Sequence, residues 1–186
     1  MTNKIEIGIA KSASDLQQIL DLQAMNHVAH VSAEIQRNEG FVTVKHTLDL
    51  LTAMNAVAKQ IIARDGDRVV GYALVMLESF QNMIPVLIPM FNMFKEILYK
   101  GKSVSTYSYY VMGQICVADG YRGQGIVDEL YSKHKETYAQ QFDFCLTEVS
   151  TKNARSIKAH ARVGFKTIYT FTDATDQWNI LLWDWK

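Results

Sequence analysis

The sequence predicts one layered α/β domain, α+β in its arrangement, with helices packed on a mixed sheet. Three observations predict it. An apolar run from Tyr107 to Val117 is followed by a glycine-rich turn and then by a helix-periodic segment. Two further apolar runs, Gln60–Ala63 and Arg68–Leu77, are joined by Arg64-Asp65-Gly66-Asp67, and Asp-Gly is a strong hairpin signal. A helical pattern over Thr151–Val163 ends at Gly164, where a glycine terminates helices by adopting positive φ.

In order, Ile5–Ala10 alternates apolar with polar or small residues and reads as a strand. Ser12 or Ser14 can cap a helix carrying Leu16, Ile19, Leu20, Leu22 and Met25. The pattern loosens after Asn26 and resumes as a helix near Thr43–Asn55. After the hairpin, residues 78–105 are hard to read. Met83–Phe91 breaks both helical and strand periods, and Phe94, Ile97 and Leu98 extend a short helix stopped by Gly101. This segment is a crossover packed on the core, an apolar wall beside a pocket, or a dimer contact. Val127, Leu130, Tyr131, His134 and Tyr138 fall at helical spacing. Strands over Phe142–Val149, Phe165–Thr172 and Trp178–Trp185 complete the order β-α-α-β-β-(insert)-β-α-β-α-β-β, a single domain over residues 1–186.

Composition excludes several classes. The chain has 186 residues, 48% hydrophobic and 20% charged, with net charge zero, so neither nucleic acid nor an anionic membrane is a favoured partner. No signal-peptide pattern opens it, and Cys116 and Cys145 lie in apolar runs as buried thiols, so a reducing, cytoplasmic location is expected. His27 and His30 have metal-type spacing without a third ligand, so no metal is expected.

The glycine turn carries the chemistry. Gly120-Tyr121-Arg122-Gly123-Gln124-Gly125-Ile126 sits between strand and helix, where unpaired amides and the helix dipole favour an anion. A phosphate or pyrophosphate is the natural guest, and Arg122 can add a charge-assisted bond. The turn carries no Gly-Lys-Ser/Thr, and its spacing is not G-x-G-x-x-G. An ordinary αβ turn, with glycines for geometry alone, is the other reading.

Arg122-Gly123-Gln124-Gly125-Ile126-Val127 resembles the acyl-CoA-binding turn of the GNAT superfamily of N-acyltransferases, (Gln/Arg)-x-x-Gly-x-(Gly/Ala). Val127 departs from it and can crowd the diphosphate. Asn153-Ala154-Arg155-Ser156-Ile157-Lys158-Ala159-His160-Ala161-Arg162-Val163-Gly164-Phe165 resembles a second GNAT motif. On a helix Asn153, Ser156 and His160 share a face.

The resemblance implies a mostly antiparallel sheet of about seven strands with about four flanking helices, the fourth and fifth strands splayed, and residues 78–105 as extra material. It implies an acyl-CoA-dependent N-acyltransferase using acetyl-CoA, in which amine and thioester meet directly in a ternary complex. Main-chain groups of Ile115, Cys116 and Val117 would face the pantetheine, amides of Gly123 to Val127 would hold the diphosphate, and Asn153 and Ser156 would line the pantetheine arm. His160 stands where many relatives carry a tyrosine acid, and an imidazolium there can protonate a departing thiolate; alternatively it bridges helix and sheet. Glu148 is the base if its carboxylate faces inward, and not if it faces solvent or pairs with an arginine. Asn26, Phe41, Thr43 and Gln114 would serve the acceptor, a small amine, an amino acid or a peptide N-terminus. The alternatives are a non-catalytic acyl-CoA-binding or sensing module and an assembly protein that uses Met83–Phe94 as an interface.

Overall fold

A computed structural model of the chain describes residues 4–27, 29, 42 and 44–186. Seven strands form one sheet: β1 (Glu6–Ile9), β2 (Ile61–Asp65), β3 (Arg68–Met76), β6 (Tyr109–Val117), β7 (Phe144–Ser150), β8 (Lys166–Thr172) and β9 (Gln177–Asp184). Their spatial order is β1-β2-β3-β6-β7-β9-β8, and every neighbouring pair is antiparallel except β6 and β7. Those two pair only at Tyr109↔Phe144, Tyr110↔Cys145 and Val111↔Leu146, then part. The splay expected between the fourth and fifth sheet strands is this opening, and it positions the site.

Helices cover both faces. Ser12 starts α1 (Ala13–Asn26) with a full capping box, its hydroxyl taking the Asp15 amide while the Asp15 carboxylate takes the Ser12 amide. Asp15 also pairs with Arg64 on β2, tying α1 to the sheet. Thr47 caps α2 (Leu48–Val57), so this helix begins several residues later than the pattern predicts. The Tyr72 hydroxyl points toward α1 and Gln114. Neighbouring Gly71 faces α4 (Ile126–Tyr138), where an added Cβ would sit 3.4 Å from Ile126. The two helices therefore lie on opposite faces.

Residues 78–105 are a satellite core. Two 3₁₀ turns, Glu78–Met83 and Pro85–Leu87, lead into α3 (Ile88–Glu96), where Pro89 sits in the first turn, which has no amide acceptor to lose. The helix thus begins earlier than expected and ends at Glu96. Gly101 does not stop it; Lys100 (φ 48°) and Gly101 (φ 80°) form the turn of a small hairpin, β4 (Leu98–Tyr99) with β5 (Lys102–Ser103). Met90, Phe91, Phe94, Ile97 and Val104 are buried against Met76, Tyr109, Val111, Phe144 and Leu146. Burial against the sheet is the crossover reading, and no residue of the segment lines either cavity described below.

Asn153 caps α5 (Ala154–Val163), and Gly164 ends it at φ 112°. A Cβ on Gly164 would lie 3.0 Å from Trp183 Nε1. Gly164→Ala is therefore expected to lose about 1–3 kcal/mol through positive-φ strain and displacement of Trp183, read as a fall in the denaturant midpoint.

Candidate active site

The glycine turn is built as its residues dictate. Gly120, Gly123 and Gly125 all have φ between 76° and 82°, which L side chains avoid. From Gly123 through Val127 no backbone N–H has an internal acceptor among the described residues; the first helical bonds are Asp128 and Glu129 to Gly125 O. Five consecutive donors at a helix N-terminus make an anion nest. Ile126 is buried against Gly71, which anchors the nest to β3. Val127 is half-buried and packs on the core while lining the cleft.

The open edge of β6 adjoins this nest. Ala118 N–H donates to Val70 O at 2.8 Å, which places residue 118 in a hydrogen-bonded pair with β3. By antiparallel alternation Cys116 is also paired inward, opposite Tyr72, while the peptide groups of Ile115 and Val117 face the gap toward β7. This corrects the expectation for Cys116: it lines the cleft, but its main chain belongs to the β3 ladder. Its thiol, pushed up to about 12 by burial, is un-ionised and not reactive.

A cleft of about 750 Å³ runs along the nest and the splayed strands. Its walls include Asn26, Val42, Ile115, Val117, Arg122, Asn153, Ser156 and His160. Arg155, Lys158 and Arg162, at helical i, i+3 and i+7 spacing on α5, bring further positive charge to the same wall. Sequence reasoning passed over Arg155 and Lys158, although their shared helix face was readable. Arg162 forms a bidentate pair with Asp128 at 2.7–3.0 Å, countering an acid beside the nest.

Arg122 is committed inside the protein as well as facing the cleft. Its Nε donates to Val117 O at 3.1 Å and its Nη2 to Asn26 Oδ1 at 2.6 Å. Asn26, expected to touch an acceptor, is instead a bracket, its Nδ2 donating to Leu22 O. Phe41 and Thr43 lie outside the described residues, as does His30.

A smaller cavity of about 80 Å³ continues the cleft between β6 and β7, and Val42, Ile115, Asn153, Ser156 and His160 line both. Its other walls include Met112, Gln114, Thr147, Glu148, Ser150 and Trp178. Glu148 faces inward and, among the described residues, pairs with no arginine; its Oε2 is buried without a hydrogen-bond partner there. Loss of hydration, reinforced by the charge of Asp173, raises its carboxyl to about 8. Asp173 is held down to about 2, chiefly by the Thr175 hydroxyl and by turn amides, so its charge persists.

His160 is neutral. Burial lowers it to about 4, and Nδ1 lies 2.7 Å from Ser156 O, an oxygen that can only accept. The proton therefore sits on Nδ1, and Nε2 carries a lone pair that is buried and without a partner among the described residues. The imidazolium acid expected at residue 160 is not the species the fold holds; Nε2 can only receive a hydrogen bond. The ring also packs edge-on against Tyr131 and Phe165, bridging α5 to the core.

Gln114 lines the cavity but is largely spent. Oε1 accepts from Tyr72 Oη at 2.6 Å and Gln23 Nε2 at 2.7 Å, and Nε2 donates to Val44 O at 3.0 Å. It can offer an acceptor one N–H and no oxygen, so orienting water through its carbonyl is ruled out. Asn153 Oδ1 is likewise used, capping the Ser156 amide at 3.1 Å.

Solved structures share this architecture. An N-acetyltransferase from Staphylococcus aureus Mu50 superposes with a TM-score of 0.64 at 18% identity, covering 99% of this chain and 100% of that one. The structure of yncA from Salmonella typhimurium with its cofactor acetyl-CoA gives 0.64 at 16% identity, covering 99% and 95%. The ribosomal-protein-S18-alanine N-acetyltransferase from Escherichia coli gives 0.62 at 12%, covering 97% and 94%. Likeness at such identities speaks for the fold alone. Compared by sequence with curated proteins, the chain matches none. The sequence pattern of the Acetyltransferase (GNAT) family, however, matches residues 33–165, spanning the nest, the split strands and α5 together. With most of its length inside that match, this chain belongs to the GNAT acetyltransferase family.

Proposed function

We propose that the protein transfers an acetyl group from acetyl-CoA to a primary amine of a small molecule, amino acid or peptide, by direct attack in a ternary complex. The observation that carries this reading is Glu148: an unpaired, desolvated carboxyl, raised to about 8, in a cavity that opens from an anion nest. A group titrating at about 8 is roughly one-tenth ionised at pH 7 and ionises over the range just above neutrality, where a general base of raised pKa can work.

The residues present fit acetyl-CoA. Five unsatisfied amides at 123–127 match a diphosphate, and basic side chains on α5 suit the remaining phosphate. The gap-facing peptide groups of Ile115 and the Val117 N–H suit the amides of a pantetheine arm, as an added strand would, while the Val117 oxygen is held by Arg122. When bound, acetyl-CoA supplies an activated acyl carbonyl. The Val117 N–H, facing the gap, would polarise that carbonyl while Glu148 takes the proton from the incoming amine. As the C–N bond forms and the C–S bond breaks, the thiolate would leave along the open cleft and take a proton from solvent or from the protonated Glu148. His160 Nε2 accepts a hydrogen bond inside the cavity and supplies no proton.

Thermal unfolding tests the cofactor class. Acetyl-CoA at roughly a hundred times its dissociation constant is expected to stabilise by about 2.7 kcal/mol, with NAD and ATP without effect. Release of free thiol with a panel of amines then separates an enzyme from a sensing module. Stabilisation without thiol release for any amine would favour the sensor.

A further inference from the structure

Among the described residues, a side-chain contact between Arg122 and Asn26 joins the cofactor nest to the acceptor cavity. Asn26, the last residue of α1, accepts from Arg122 Nη2 at 2.6 Å through its side chain. Its backbone oxygen accepts from the Val42 N–H at 3.2 Å. The next residue, His27, bridges Val42, and Val42 lines both the cleft and the inner cavity. At the other end, Arg122 belongs to the nest, and its Nε holds Val117 O at the end of the split strand. A planar guanidinium keeps these directions fixed relative to one another.

We infer that Arg122 and Asn26 are positioning residues that couple occupancy of the diphosphate nest to the placement of Val42 on the acceptor side. The inference rests on the acetyl-CoA reading and extends it. An anion in the nest restricts the long Arg122 side chain, so the entropy of fixing it is lost once for both contacts. The Asn26 bond is then easier to hold, and Val42 with it. By reciprocity, a ligand against Val42 tightens cofactor binding by the same factor.

The test is amide hydrogen exchange at Val42 with and without CoA, alongside CoA isotherms, in wild type, Asn26→Ala and Arg122→Lys. Asn26→Ala removes the side-chain bracket yet keeps the backbone oxygen that receives Val42. Arg122→Lys keeps the charge and loses the fork. CoA is expected to slow Val42 exchange about five- to tenfold in wild type. The slowing should vanish in both variants when each is compared at CoA concentrations that its own isotherm shows to be saturating, with weaker binding expected for Arg122→Lys. If CoA binds wild type and Val42 exchange is unchanged, or is slowed equally in the variants, the coupling is overturned. Failure of wild type to bind CoA would instead remove the acetyl-CoA reading, and this inference with it.

Discussion

Glu148→Gln is expected to lower kcat about 10²–10³-fold, the range a positioned base contributes. The amide keeps the shape and loses the proton acceptor, so KM for acetyl-CoA should stay within about twofold. In wild type the acceptor-saturated rate should rise with pH and level above about 8, the value to which burial first, and the Asp173 charge second, raise this carboxyl. The variant should show no such limb. Stability gives an independent reading. The folded pKa lies above the unfolded value near 4.5, so the native state holds the proton more tightly. The associated stabilisation is fully present below about 4.5 and is lost as pH rises through about 8. At pH 9 the glutamine variant should therefore unfold with on the order of 5 kcal/mol more stability than wild type, and at pH 4 with nearly none. Equal denaturant midpoints at pH 9 would show that the carboxyl is not held up.

Gly125→Val should raise the dissociation constant of acetyl-CoA about 10²-fold with little loss of fold. Nothing lies within 4 Å of a Cβ at this position, so crowding is not the mechanism. The backbone is: φ is 82°, a region that a β-branched residue enters only at a cost of about 1–3 kcal/mol. Relief of that strain rotates the Gly125 amide and the helix start that follows, spoiling several charge-assisted bonds to a diphosphate at once. Calorimetric titration measures the loss, and Gly66→Val, at φ 57° in the distant β2–β3 turn, controls for strain alone. Unchanged affinity would mean that the diphosphate does not sit on these amides.

The parts of this fold that were legible in the sequence have local causes. The Asp65-Gly66 hairpin, the Ser12 cap, the helix start at Ile126 and the stop at Gly164 each follow from a residue's own backbone preference. The start of α2 was misplaced because apolar spacing before Thr47 imitates a helical turn, whereas the Thr47 side chain takes the Leu50 amide. The 78–105 segment was illegible because α3 hides its first turn behind two prolines and 3₁₀ turns. At the site, Glu148 and the nest could be located by motif and strand position. The state of His160 could not, since burial keeps the ring neutral and one carbonyl 2.7 Å away selects the tautomer. Nor could the fate of Gln114 and Asn26, whose partners lie 91 and 96 residues distant in the chain.

The short pairing of β6 with β7 makes the sheet two leaves on one spine. Beyond Val111 and Leu146 nothing in the ladder joins the leaf β1-β2-β3-β6 to the leaf β7-β9-β8. The spine is aromatic: Phe144 stacks on Tyr109 with centroids 6.4 Å apart and meets Tyr107 and Tyr99 edge-on or tilted. Tyr99 reaches it from the small hairpin of residues 98–103, whose turn is fastened by Lys100 and Tyr99 to Asp184. The 78–105 segment, remote from both cavities, thus binds the closed end of the split like the spine of a book, through Tyr99 against Phe144 on β7 and Asp184 on β9.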